Sequence, residues 1–258
     1  MEAFLKPRCI EVYDHVESTM DVEPPELPGV VIALTQLRGR GRSGRWISPR
    51  GGAWLTFSAS RGPPGSWLPV AVGGCVAEEV ERLLQRERYK PIIRVKWPND
   101  LYIDRGKVGG ILVVYKNGVL KIGVGINVYN AVPPGGAKLS AYGYKRSLAD
   151  IYLAIIKGIG RALVSPEDCL WEASRRDMLR ECKVVVSTER GILEGIALGL
   201  TPSGALLVET KNGVSRVECC GIISWDCMGD TKAWNKTPNL NNISLQEKNI
   251  PSRQLAEG

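Results

Sequence analysis

The sequence holds a single histidine, His15, and only two phenylalanines. One imidazole near the N-terminus cannot make a two-histidine metal site, and it gives Ser-His-Asp or Cys-His chemistry one poorly placed candidate. If the chain is an enzyme, it works without histidine base catalysis. The seven cysteines (Cys9, Cys75, Cys169, Cys182, Cys219, Cys220, Cys227) form no Cys-x-x-Cys pair and keep no regular spacing. They read as reduced, mostly buried thiols, with no zinc site and no disulfide framework. No apolar run is long enough to span a bilayer, and the opening MEAFLKPRCI lacks the apolar centre of a signal peptide. A cytoplasmic protein with no membrane partner is expected. No internal repeat is present.

What is there is ordinary globular composition with a basic bias. At 258 residues, 44% hydrophobic and 24% charged, the chain has room for one large domain and a small one. A net charge of +7 favours an anionic partner, whether nucleic acid, nucleotide or acidic protein. The charge concentrates in GRGRSGRWISPRGG, residues 39–52, where four arginines stand among glycines. Such a stretch either grips a nucleic-acid backbone or closes over one small anionic ligand.

Apolar patterning supplies a coarse map. VVIALT (30–35) and AWLTFS (53–58) read as strands flanking the Gly/Arg stretch, with Gln36 ending the first. Leu68, Val72, Val76, Val80 and Leu83 recur at helical spacing within 67–87. Short strands follow at 92–96, 101–103, 109–115 and 119–128, and Asn117-Gly118 between the last two marks a hairpin. Ser147 with Asp150, and Ser165 with Pro166 and Asp168, each have the form of a capping box before a helix. Beyond Arg180 come short alternating strands at 183–187, 192–200, 205–210 and 214–219, which suggest a small barrel. From Gly229 the sequence turns Asn-rich and loses its apolar period, as a mobile tail does. The fold class is therefore α+β: a mixed-sheet domain over residues 1–180, a small β-barrel over 181–226 and a tail over 227–258.

Four segments carry chemistry in a telling order: EST at 17–19, GRGRSGRWISPRGGAWLTFS at 39–58, VKWPNDLYIDRGKVGGILV at 95–113 and GVGINV at 123–128. With EGIALGLTPSGALLV at 194–208, they make the chain resemble biotin protein ligases from about Val12 to about Ser224. It resembles the form without an N-terminal DNA-binding domain, so no DNA partner is expected.

The resemblance implies a mixed-sheet catalytic domain followed by an SH3-like barrel. It implies ATP with Mg2+ and biotin as substrates, no tightly bound prosthetic group, a biotin carboxyl carrier protein as partner, and room for a homodimer. Biotin's carboxylate would attack the α-phosphate of ATP, and a carrier lysine would then take the biotinyl group from the adenylate. An ionised carboxylate needs no base; the difficulty is bringing two anions together, which suits Arg, Lys and Mg2+. By the same resemblance Ser18, Thr19 and Gln36 bond biotin's ureido group, and Gly39, Arg40, Gly41 and Arg42 form a lid over it. Lys107 points at the junction of carboxyl and α-phosphate, and Gly110 lets the backbone pass close to the ligand. Arg42, Arg45, Trp46, Asn99 and Asn127 face the nucleotide. Asp100 lies near the metal, the phosphates or the incoming lysine, with a turn-forming carboxylate as the plain alternative.

Two positions depart from the family. Trp46 directly follows Arg45, where relatives commonly have one more residue, and Val114 stands where relatives often have an acid. Lipoate or octanoate ligases, which share the fold, and an RNA-binding protein are the rival readings.

Overall fold

The computed structural model describes residues 6–42, 44–60, 62–63, 65–84 and 91–227. Ser43, the expected last turn of the first helix (85–87) and the Asn-rich tail lie outside them.

Eight strands build the first sheet: β1 (Cys9–Val16), β2 (Gly29–Arg40), β3 (Arg45–Ser48), β4 (Ala53–Ala59), β5 (Ile93–Lys96), β6 (Asp100–Ile103), β7 (Gly106–Lys116) and β8 (Val119–Ile126). Their order is β1-β2-β4-β8-β7-β6-β5, with β3 paired to β2. β1 runs parallel to β2 and the other pairs are antiparallel, so the sheet is mixed as expected. Asn117 and Gly118 both take positive φ, which is the chemistry a tight β7–β8 hairpin requires.

Every residue of β4 is buried, which marks it as a central strand covered on both faces. The period of two divides those faces. Ala53, Leu55, Phe57 and Ala59 of β4, with Leu120, Ile122, Val124 and Ile126 of β8, join the hydrophobic core under the helices. Thr56, Gly123 and Gly125 alternate with them on the opposite face, where the candidate site lies.

Three helices cover the core face: α1 (Leu68–Leu84), α2 (Leu148–Val164) and α3 (Pro166–Arg175). Leu68, Val72, Val76 and Val80 are fully buried, as their spacing predicts. Gly74 lets α1 and α3 touch, since a Cβ there would sit 2.1 Å from the Cys169 carbonyl oxygen. The Ser147 hydroxyl caps α2 by accepting from the Ala149 amide at 3.1 Å. The Ser165 side chain makes no such bond; Pro166, with Glu167 and Asp168 in the first turn, marks the start of α3.

The second sheet holds β9 (Lys183–Thr188), β10 (Gly191–Leu200), β11 (Leu206–Thr210), β12 (Gly213–Val217) and β13 (Gly221–Asp226), in the order β12-β11-β10-β9-β13. It is antiparallel throughout, and its edges β12 and β13 are not paired with each other among the described residues. Closure into a barrel is therefore not seen, and the unit is a five-stranded sheet. Val184, Val186, Leu206 and Val208 belong to the same hydrophobic core as the helices, so the two sheets are packed as one body.

Two disulfides, Cys75–Cys169 and Cys182–Cys227, overturn the expectation of reduced thiols. Their partners lie 94 and 45 residues apart, so helix and strand packing creates the pairs and no local spacing announces them. Cys9, Cys219 and Cys220 are free and half-buried. Among the described residues no helix is long and apolar enough to cross a membrane.

Candidate active site

β2 does not end at Gln36. It continues to Arg40, because Gly39 and Arg40 find partners in β3: Gly39 pairs with Trp46 and Arg40 with Arg45, with a bulge between Gln36 and Gly39. The Gly/Arg stretch is thus the tip of a hairpin, closed by the Gly41 amide donating to the Gly44 carbonyl at 2.7 Å. Its arginines are engaged: Arg40 pairs with Asp21, Arg42 donates to the Cys220 carbonyl of the second sheet, and Arg45 donates to the Leu37 carbonyl.

Beneath this hairpin one pocket gathers Ser18, Thr19, Gln36, Arg40, Gly41, Arg42, Trp46, Asn99, Asp100, Lys107 and Gly110, eleven of the fourteen residues expected in the site. Gly39, Arg45 and Asn127 do not line it. Gly39 instead lies against the hairpin, where a Cβ would meet the Trp46 carbonyl oxygen at 2.5 Å.

The floor is a neutral hydrogen-bond chain. Gln36 Oε1 accepts from the Thr19 amide at 2.8 Å and the Thr19 hydroxyl at 3.1 Å, while its Nε2 donates to the Ser48 hydroxyl at 2.7 Å. The Thr56 hydroxyl, fully buried in β4, donates to the Thr19 hydroxyl at 2.8 Å. Each side chain therefore has its orientation fixed by the next. Met20 and Leu112 add apolar lining on this face of the sheet.

The other group of polar side chains is charged. Lys107 Nζ lies 2.6 Å from Asp100 Oδ1 and 5.0 Å from the centre of the Trp46 ring. Asp100 Oδ2 is 3.8 Å from Lys96 Nζ. Burial lowers the Lys96 pKa, Asp100 partly opposes that shift, and Lys107 and Arg42 add to it. Burial and then the Asp100 charge push the Tyr102 hydroxyl up to about 12, so it stays protonated at neutral pH.

β8 joins the two regions. A Cβ on Gly123 would meet the Met20 sulfur at 2.7 Å, and one on Gly125 the Trp46 Nε1 at 2.8 Å. Two residues along a strand is about 7 Å, so the neutral floor and the cationic end lie a short molecule's length apart. At Gly110 a Cβ would make only ordinary contact, 3.6 Å from Asp100 Oδ1 and the Trp46 ring. The tight positions are Gly123 and Gly125.

Asn99 and Asn127 hold backbone. Asn99 Nδ2 donates to the Ile111 carbonyl at 3.0 Å, locking the 97–100 turn onto β7. Asn127 Nδ2 reaches the Lys107 carbonyl at 3.4 Å, and its Oδ1 accepts from Asn130 at 2.9 Å. Sequence reasoning missed Asn130 and Lys96; Asn130 stands two residues beyond GVGINV, and Lys96 stands inside VKWPND without a role. Both oxygens of Asp100 face ammonium groups, and no group of three or more His, Cys, Asp or Glu side chains that could hold a metal occurs among the described residues. The arrangement does not suit a metal held by Asp100.

Comparison with known proteins agrees with this geometry. The Biotin/lipoate A/B protein ligase family model matches residues 8–128, and the Biotin protein ligase C terminal domain model matches residues 180–218. The chain is 31% identical over 215 residues to the bifunctional ligase/repressor BirA of Escherichia coli, covering 75% of this chain and 65% of that protein. It is 36% identical over 128 residues to the human biotin--protein ligase, covering 46% of this chain and 18% of the human one. The chain thus spans less than two thirds of these relatives' lengths. The biotin protein ligase of Aquifex aeolicus in complex with biotin and ATP shares the fold, with a TM-score of 0.74, 24% identity, and coverage of 85% of this chain and 99% of that one. With both family models and these relatives falling on the segments that build the pocket, the chain belongs to the biotin protein ligases of the biotin/lipoate A/B protein ligase family.

Proposed function

We propose that the chain activates biotin with ATP to biotinyl-5′-AMP and transfers the biotinyl group to a lysine of a biotin carboxyl carrier protein. The observation that carries this reading is the polarity sequence of the pocket: a neutral hydrogen-bonding floor, an apolar stretch, then a cationic end. Biotin has the same order, with a ureido head, an apolar ring and chain, and a carboxylate. The proteins similar in sequence carry the ligase name, and the similar Aquifex structure holds biotin and ATP.

On this reading Ser18, Thr19 and Gln36 bind the ureido group through a hydrogen-bond chain already oriented by Ser48 and Thr56. Lys107 exchanges Asp100 for the carboxylate and α-phosphate oxygens, stabilising charge as it develops there. Arg40, Gly41 and Arg42 close over the adenylate, and Trp46 beside Lys107 offers a ring face to the nucleotide. Arg45 and Gly39 shape the hairpin that carries those groups. Asn99 and Asn127 hold the backbone at Asp100 and Lys107, and Mg2+ comes with ATP as part of the substrate. The carrier amine attacks the mixed anhydride and AMP leaves. The same fold serves lipoate and octanoate ligases, but a buried chain of amide and hydroxyl groups matches a ureido head and has no partner in a dithiolane or alkyl tail. The backbone-gripping alternative needs free arginines, whereas Arg40, Arg42 and Arg45 are held within the protein.

ATP–pyrophosphate exchange in the presence of biotin, lipoate or octanoate tests the assignment. Exchange stimulated by biotin alone is expected, and stimulation by lipoate or octanoate without biotin would refute it.

A further inference from the structure

Lys96 belongs to neither the pocket lining nor any assigned role, yet its side chain is only 9% exposed and its ammonium faces the reactive end of the site. Its partners come from two sheets. Asp100 Oδ2 lies 3.8 Å away on the first sheet. The Trp225 ring, from β13 of the second sheet, lies under the ammonium at 4.0 Å from its centre, and the Tyr102 ring lies at 5.7 Å. Tyr102 and Trp225 meet edge to face, with ring centres 6.2 Å apart.

Each of these groups is held in place. Lys96 and Asp100 are paired residues of the β5–β6 hairpin. Trp225 pairs with Val184 of β9, and two residues later Cys227 is bonded to Cys182. The second sheet also grips the intervening turn, where Trp97 Nε1 donates to the Gly204 carbonyl at 3.1 Å.

We infer that Lys96 is a positioning residue that holds and neutralises Asp100 while Lys107 serves the ligand, and that Trp225 keeps Lys96 there. The inference rests on the proposed ligase function. Without ligand, Lys107 occupies Asp100 Oδ1. When Lys107 turns to the carboxylate and phosphate, Asp100 loses its nearer cation in a site that is only 16% exposed at that side chain. An unpaired carboxylate there would repel the incoming anions and drag Lys107 back. Lys96 on the other oxygen prevents this. A buried ammonium at 3.8 Å from its carboxylate is only partly compensated, and an aromatic face supplies attraction without competing for Asp100. The second sheet thereby contributes Trp225 to the construction of the active site.

Pyrophosphate exchange with biotin titrated, together with thermal melts, tests this on K96M, K96R, W225L and W225F, and on K96M and W225L in a D100N background. K96M should lower kcat about ten- to a hundredfold and leave the KM for biotin within about twofold, because the biotin floor is built elsewhere. K96R should recover most of the rate. W225L should lose about three- to tenfold and W225F little, since a ring remains under the ammonium. In the D100N background, K96M should cost less than about twofold more, because its only route of action is gone. That double variant removes both charges together and should fold even if K96M alone does not. Losses from K96M and D100N that multiply, a K96M effect confined to the biotin KM, or W225L indistinguishable from the unaltered chain would each overturn the inference. No biotin-dependent exchange by the unaltered chain would instead refute the ligase reading on which it rests.

Discussion

Replacing Thr19 by valine deletes one hydroxyl and keeps the side chain's shape. That hydroxyl donates to Gln36 Oε1 at 3.1 Å and accepts from the Thr56 hydroxyl at 2.8 Å. Gln36 keeps the Thr19 amide as a donor, but the Thr56 hydroxyl, fully buried, is left without an acceptor. An orphaned buried polar group costs about 1–3 kcal/mol, which for a chain of this size lowers the melting temperature by roughly 3–10 °C. Thr56→Val added to Thr19→Val removes the orphan and should bring stability back to within about 1 kcal/mol of the parent. Biotin affinity behaves differently. One hydrogen bond to the ligand is worth about a factor of ten, and the second substitution does not restore it. Calorimetric melts and biotin titration of Thr19→Val, Thr19→Ser and the double variant separate the two effects. Thr19→Val melting with the parent, or the double variant losing the sum of the single losses, would refute the hydrogen-bond chain.

Lys107→Ala should cut adenylate formation by about two to three orders of magnitude with an unchanged melt; pyrophosphate exchange close to the parental rate would count against its role. Arg42→Gly loses the bond from the hairpin tip to the Cys220 carbonyl, so the adenylate should form but escape and acylate lysines of unrelated proteins. Mass spectrometry that finds biotin confined to the carrier lysine would rule out retention by Arg42. Asp177 is buried, and desolvation pushes its carboxyl from 3.8 up to about 6. The folded chain holds that proton where the unfolded chain releases it, so stability falls as pH rises from about 4 to 6 and stays lower above. Asn at 177 still accepts from the Leu179 amide as Asp177 Oδ1 does. Asp177→Asn should therefore be more stable at pH 7, by roughly 1–3 kcal/mol, and should flatten that part of the curve; an unchanged pH profile of the denaturation midpoint would exclude the effect.

The central strands and the helices were legible because their signals are local. β4 and β8 read as apolar runs, and α1 as a helical apolar face, since each is buried along its length. β1 was missed because it lies at the sheet edge, where its residues are half-buried or exposed and carry no apolar run. β3 is four residues long and exists only because β2 overruns its apolar stretch. Most of the residues that line the pocket could be read because Lys107, Gly110 and the KWPND turn lie within one short segment, and Ser18 and Thr19 are adjacent. What joins distant segments could not be read: the two disulfides, the bond from Arg42 to Cys220, and Trp225 under Lys96. Those contacts arise from packing one sheet beside the other, which no window of sequence reports.

The most direct test of the account is intact-protein and peptide mass spectrometry of a biotin carboxyl carrier domain incubated with the purified chain. The account predicts one biotinyl group on one carrier lysine, formed only when both biotin and ATP are present. An unmodified carrier, or modification that proceeds with lipoate or octanoate in place of biotin, would contradict it.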